Sequence, residues 1–363
     1  MALDSRALAW ATLAHKALPQ RGLVTLLREF RDPAVILSAS AATLGRHVPA
    51  AVAAAALAPV PAADLDATRR WLDDPSHHLI AWDDGDYPRA LLDIGHAPPV
   101  LFFIGARPLL NVPALAIVGS RMATPQGRTN ARGFARALAD AGLTIVSGLA
   151  HGVDAAAHEG ALPTAASTLA VIGTGPDRVY PARNRELARR IAERGGIVSE
   201  FLPGTPPRKE NFPRRNRLIS GLARGVLVVE ATLSSGTLIT ARWAGEQGRD
   251  VFAIPGSIHS PFAKGCHKLI REGAKLVETA QDILVELGMA PEAASAASSP
   301  QRENAGEAPL LAAMGYDPVT VDDLVARTGF TADAVLAELV RLELDDRVSA
   351  LPGGAWQRLT RDS

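Results

Sequence analysis

Six short apolar runs, each closed by Gly, Ser or Thr and followed by a helical stretch, constrain this chain more than any other feature. They are ALAIVGSR (114–121), LTIVSGLAHGVD (143–154), LAVIGTGPDRVYP (169–181), IVSEFLPG (197–204), VLVVEATLSSGT (226–237) and VFAIPGS (251–257). A short, unbroken apolar run suits a strand covered on both faces. Helical patterns lie between and after the runs, at 126–141, 153–162, 183–194, 213–223, 236–247 and 264–287. This alternation predicts parallel βαβ units in an α/β, doubly wound sheet. Ligands of such sheets bind outside the carboxyl ends of the strands. The Gly/Ser turns fall at those ends, so they are expected to meet on one rim.

The flanking segments read differently. Residues 1–75 are Ala/Leu-rich with helical periodicity, which predicts a small helical domain. Residues 76–288 form the α/β unit. Its start, 76–112, reads as an extension with strand candidates HHLIAW and VLFFIG. Residues 289–308 lack periodicity and are rich in Ala, Ser, Pro and Glu, the composition of a flexible linker. Residues 309–363 hold three helical patterns, with Thr320 and Thr331 as N-cap candidates. RVSALPGGAWQRL then reads as two strands about a Pro-Gly-Gly turn, which completes a winged-helix pattern.

Charge excludes a globally basic binder, since Lys+Arg and Asp+Glu both total 38. A local patch remains open. With Cys266 the sole cysteine, no internal disulfide forms, and a reducing, cytoplasmic setting is expected. The N-terminus lacks a secretory core, and no apolar run reaches the length of a membrane span.

The most basic stretch is 208–224, RKENFPRRNRLISGLAR. Arg208, Lys209, Arg214, Arg215, Arg217 and Arg224 face only Glu210, and Phe212 sits among them. Interleaved cations and an aromatic suit single-stranded nucleic acid, whose phosphates neutralise the charge while an unpaired base stacks on the ring. A solvated basic helix with Phe212 turned inward is the rival reading. Gly119, Ser120 and Arg121 form a turn with a hydroxyl donor and a planar cation suited to phosphate. Ser147-Gly148, Gly173-Thr174-Gly175 and Ser235-Gly236-Thr237 are similar turns; each also reads as a plain turn or helix cap. Glu230 is expected to pair with an arginine of the patch. His151, Asp154 and His158 lack metal-ligand spacing and a cysteine partner, so capping or solvated roles are expected and no metal or other cofactor is assigned.

With these residues laid out, the chain resembles the DNA-processing protein A (DprA, or Smf) family. IVGSR, SGLAHGVD, GTGPDRVYP, FPRRNRLISGL, VVEA…SSGTLITA, GRDVFAIPG and LIREGA look like that family's segments, in its order, across about residues 76–285. The resemblance implies an extended Rossmann-like fold that dimerises, beside a sterile-alpha-motif-like domain and a winged helix. It implies a non-enzymatic single-stranded DNA-binding protein that protects incoming DNA in natural transformation. Such a protein loads the RecA recombinase and often displaces single-strand-binding protein. By carry-over, Ser120 and Arg121 match the phosphate-binding turn, and Lys209 and Phe212 a DNA-contacting lysine and a base-stacking phenylalanine. Arg214, Arg215, Asn216 and Arg217 match the R-N-R stretch, and Ser235, Gly236 and Thr237 the S-G-T turn. Leu269 and Ile270 look like the dimerisation end. Gln126 departs from the pattern, standing where an aromatic is common.

Rival functions fit less well. A dinucleotide fingerprint is missing: the first turn reads GSRMATPQG, and GTG at 173–175 continues PDR. No Walker A loop is present. A phosphoribohydrolase-like Rossmann enzyme is the alternative, but SSGT replaces that group's P-G-G-x-G-T turn. Duplex binding by the winged helix is disfavoured by its acidic third helix, 331–345, which instead suits a protein contact.

Overall fold

The computed structural model describes residues 5–16, 18–289 and 309–359. The 289–308 linker therefore lies almost wholly outside the described residues. The central unit is built on one nine-stranded sheet: β1 (His77–Ala81), β2 (Val100–Gly105), β3 (Ala114–Val118), β4 (Thr144–Ser147), β5 (Thr168–Val171), β6 (Gly196–Ser199), β7 (Gly225–Val228), β8 (Asp250–Ala253) and β9 (Lys275–Leu276). The spatial order is β1-β2-β6-β5-β4-β3-β7-β8-β9. From β6 to β9 every pairing is parallel; β2 meets β6 and β1 meets β2 antiparallel. The 76–112 extension is thus part of the sheet rather than a lead-in to it.

Burial explains the apolar runs. Alternate residues of one strand enter opposite cores: Ala116 and Val118 pack with Val226, Val228, Leu218 and Cys266, while Leu115 and Ile117 pack with Leu227, Leu138, Val153 and Ala157. Both faces are therefore covered by helices, and the polar residues that the central strands carry, such as Thr144, Ser147, Thr168 and Ser199, are buried. The helices Pro125–Asp140 and Val153–Ala161 serve one face; Asn211–Gly221, Thr237–Glu246 and Lys264–Arg271 serve the other.

One expected element is corrected. The pattern at 264–287 predicts one helix, whereas the structure has Lys264–Arg271, the edge strand β9 and Ala280–Glu286. Gly273, at φ +105°, takes a backbone conformation that other residues rarely adopt and turns the chain out of the first helix. Thr279 and Asp282 then start the next with reciprocal caps.

Six helices between Ser5 and Leu72 form the N-terminal region. Trp10, Leu13, Leu26, Leu27 and Ile36 share one core with Leu79, Ala81, Val100 and Phe102 of β1 and β2. The C-terminal unit has its own core, centred on Leu311, Leu324, Val335 and Leu339. Its helices Pro309–Met314, Val321–Thr328 and Ala332–Leu344 accompany a sheet of β10 (Val319–Thr320), β11 (Val348–Ala350) and β12 (Ala355–Arg358), ordered β10-β12-β11. Thr320 and Thr331 are N-caps, as their sequence positions predict. Among the described residues, no single helix is long and apolar enough to cross a membrane.

Candidate functional site

The strand order reverses direction between β3 and β7, and a cleft of about 650 Å³ opens there at the carboxyl ends of the strands. Gly119, Ser120 and Arg121 line it after β3, and Ser235, Gly236 and Thr237 line it after β7. Phe212, Arg215 and Asn216 close it from the helix Asn211–Gly221, with Lys209 just ahead of that helix.

The two turns are tied together. Ser120 N–H donates to the Glu230 carbonyl at 2.7 Å, and the Thr237 hydroxyl donates to the Gly119 carbonyl at 3.0 Å. The Ser120 hydroxyl accepts from Met122 N–H at 3.1 Å, so its own proton remains available to a ligand oxygen. Glu230 does not pair with the basic patch, contrary to expectation. Its carboxylate accepts from the backbone and hydroxyl of Thr124, at 3.0 and 2.6 Å, and burial raises its pKa. Gln126 Nε2 donates to Asn130 Oδ1 at 2.6 Å.

Beneath the cleft lies an ionic framework. Asp154 accepts from the N–H groups of Gly148 and Ala150 at 3.2 and 3.3 Å. Arg215 Nη1 donates to the carbonyls of Gly148, at 2.8 Å, and Val171. Gly148 is thus clamped from both sides. Burial raises the Asp154 pKa and lowers that of Arg215 to about 10; each opposes part of the shift in the other. Asp154 and His158 are therefore interior groups, which corrects their expected capping or solvated reading in part: Asp154 does cap amides, but neither is solvated.

His158 is wholly buried. The Thr168 hydroxyl donates to the Ile145 carbonyl, so it must accept from His158 Nδ1–H; His158 Nε2 then accepts from Leu149 N–H. Both ring nitrogens are engaged in the neutral form. Burial first, and Arg215 second, push its pKa down from 6.5 to about 3. The unfolded chain takes up a proton near 6.5 that the folded protein refuses. This contribution to stability is complete above that pH and declines as pH falls toward 3, by roughly 1.4 kcal/mol per pH unit. We expect His158→Gln to flatten the acid limb of the melting temperature between about pH 6 and 4. An unchanged limb would remove His158 from this account.

The basic stretch is dispersed, not aligned. Lys209 is exposed at the cleft. Arg217 is buried and donates to Glu200 Oε2 at 2.6 Å, and burial lowers its pKa. Arg214 reaches the same carboxylate at 3.0 Å and covers the Phe201 ring. Both line a different groove, beside Trp10 and Leu13. Arg224 donates to the Leu287 carbonyl at 2.8 Å. Arg217 is thus committed to a buried ion pair, which corrects its expected nucleic-acid contact, while Arg214 stays exposed outside the cleft lining. Successive helical residues turn by about 100°, so 214, 215 and 217 point three ways.

Other turn residues serve the frame. The Ser147 hydroxyl is buried and donates to the Ile117 carbonyl at 2.6 Å, which corrects its expected ligand contact. Gly175 N–H donates to Thr205 O at 2.9 Å, away from the cleft lining. Gly173 supports Phe212: a Cβ there would meet the ring at 2.9 Å, so only glycine lets the ring lie on this turn. Leu269 is 9% exposed and packs on the central core, with Ile270 half-buried beside it.

Tyr180 is among the cleft residues that the sequence did not single out. Tyr180 is 48% exposed, with its ring centroid 5.4 Å from that of Phe212 and the planes at 41°. Its position in GTGPDRVYP, after a Gly turn, was the available signal. Its neighbour across the cleft comes from 32 residues further on, and sequence separation hides such pairs.

Comparison with known proteins gives a consistent result. A profile of the DNA recombination-mediator protein A family matches residues 78–288, and one of the DprA winged helix domain matches 290–354. Protein Smf of Escherichia coli K12 is 44% identical over 310 residues, covering 83% of this chain and 82% of that protein. DNA processing protein DprA of Streptococcus pneumoniae R6 is 50% identical over 223 residues, covering 61% and 78%. The crystal structure of DprA from Streptococcus pneumoniae superposes with TM-score 0.69 at 38% identity, covering 79% of this chain and 99% of that one. DNA processing protein A of Helicobacter pylori, solved for its single-stranded DNA binding mode, superposes with TM-score 0.54 at 31% identity, covering 58% and 95%.

Proposed function

As the chain belongs to the DNA recombination-mediator protein A (DprA/Smf) family, we propose that its cleft holds single-stranded DNA. The observation that carries this reading is the pair of rings, Phe212 and Tyr180, beside the exposed cations Arg121 and Lys209. Bases of a duplex are stacked on one another and offer no free face to a ring. Unpaired bases do, and the flanking cations neutralise their phosphates. The Helicobacter pylori relative, solved for its single-stranded DNA binding mode, supports the same substrate class.

Arg121, Lys209 and the Ser120 hydroxyl are the phosphate contacts in this reading, and Gly119, Asn216 and the 235–237 turn shape the wall. Asp154 and Arg215 hold the 148–150 turn from below. The chain then acts as a non-enzymatic mediator in the cytoplasm: it protects incoming DNA during natural transformation, seats RecA on it and displaces single-strand-binding protein. It works as a homodimer. With Leu269 in the core, half-buried Ile270 and the edge strand β9, where Leu276 is exposed, are what remain near that end for a second copy.

Stacking is tested separately from charge. Phe212→Ala and Tyr180→Ala are each expected to weaken oligo-dT binding by about 1–3 kcal/mol, with little change in the salt dependence. Unchanged oligo-dT affinity in a folded Phe212→Ala protein would overturn the platform.

A further inference from the structure

The winged-helix unit presents an apolar and acidic face along the helix Ala332–Leu344. The inner side of this helix sends Val335, Leu339 and Leu342 into the unit's core. Its outer side carries Leu336, Val340 and Leu344, which are 42%, 51% and 82% exposed. They recur every fourth residue, so they stand in one row about 12 Å long. Single exposed apolar residues are ordinary on a protein surface; a row on one helix face marks a contact.

The charge around the row selects the partner. Residues 309–359 hold eight carboxylates and four arginines, in a chain with no net charge overall. Arg341, the one cation of this helix, is held by Glu338 at 2.5 Å and Asp345 at 3.5 Å. Among the described residues, Asp333, Glu343 and Asp346 form no salt bridge. This helix is the third of the unit, the place where a winged helix would enter a DNA groove, and its carboxylates repel phosphate. An apolar row with a negative border is complementary to the reverse arrangement.

We propose that this face docks a cationic amphipathic helix of a partner protein. Apolar side chains at i, i+3 or i+4 and i+7 of the partner lie along Leu336, Val340 and Leu344. Its lysines or arginines reach Asp333 at one end and Asp346 at the other. Binding here is independent of the DNA cleft.

The probe is a fluorescein-labelled helix of about 18 residues, composed of leucine and lysine with leucines on one face. It is titrated with the full chain by fluorescence anisotropy, without DNA. Controls are a scrambled isomer and a leucine/glutamate counterpart. Saturable binding is expected, at least about tenfold tighter than for either control. Val340→Ser with Leu344→Ser should weaken it about tenfold or more, and Leu344→Ser alone by a smaller factor. The single variant cannot disturb the core, because Leu344 is already 82% exposed. Equal binding of the controls, or unchanged affinity in both variants, would overturn the proposal. A drop in the mass of the free protein on introducing the double change would also overturn it, since the row would then be covered by a second copy.

Discussion

Arg121→Ala combined with Lys209→Ala is expected to lower the slope of log affinity against log salt by about 1.4 for single-stranded DNA, at about 0.7 per phosphate released. Each charge-assisted contact is worth roughly 1.5–3 kcal/mol, so each single change should weaken binding about tenfold or more. Both side chains are exposed at the cleft, so melting temperature should hardly move. The same protein should fail to seat RecA on a strand coated with single-strand-binding protein. Wild-type affinity and slope in the folded double variant would sink the assignment of this cleft. Arg217 is unsuited to such a test: it is buried against Glu200, so its removal disturbs the fold before it reports on DNA.

Arg215→Met is expected to act on the opposite property. Arg215 is 4% exposed and shares the Gly148 turn with Asp154, which is 7% exposed. Removing the guanidinium leaves the buried Asp154 carboxylate with only its two amide donors and more distant charges to offset its burial, and it takes a donor from the carbonyls of Gly148 and Val171. Leaving a buried polar group without its partner costs roughly 1–3 kcal/mol, and more where a charge is involved. Chemical denaturation should show that loss. Adding Asp154→Asn should recover part of it, because the stranded charge is then gone. A single variant as stable as the parent, or a double variant with two full independent losses, would refute the coupling. DNA binding should fall in the single variant as well, because the 148–150 turn loses its clamp.

Lys209 and Arg215 belong to one basic stretch, yet the expected effects of changing them differ in kind. The sequence reading treated Arg214, Arg215 and Arg217 as one line of charge, and helix geometry divides them. Arg215 turns inward under the cleft, Arg217 turns to Glu200, and Arg214 covers Phe201. Glu200, the carboxylate that holds two of them, drew no notice in the sequence because it sits in another segment. Ser147 misled for a related reason: a hydroxyl at a strand end looks like a ligand donor, but here it satisfies a neighbouring strand's carbonyl.

What the sequence determined by itself was the architecture and the place of the site. Unbroken apolar runs alternating with helices admit few arrangements other than a parallel sheet covered on both sides, and such a sheet puts its turns on one rim. Local periodicity carries that information, residue by residue, along the chain. Only the tertiary structure decided which side chains occupy the rim. That choice depends on helix rotation and on buried carboxylates, Asp154 and Glu200, that draw particular arginines out of solvent. It also depends on the meeting of Tyr180 and Phe212 from separate segments. These are through-space interactions between distant parts of the chain, and no local pattern encodes them.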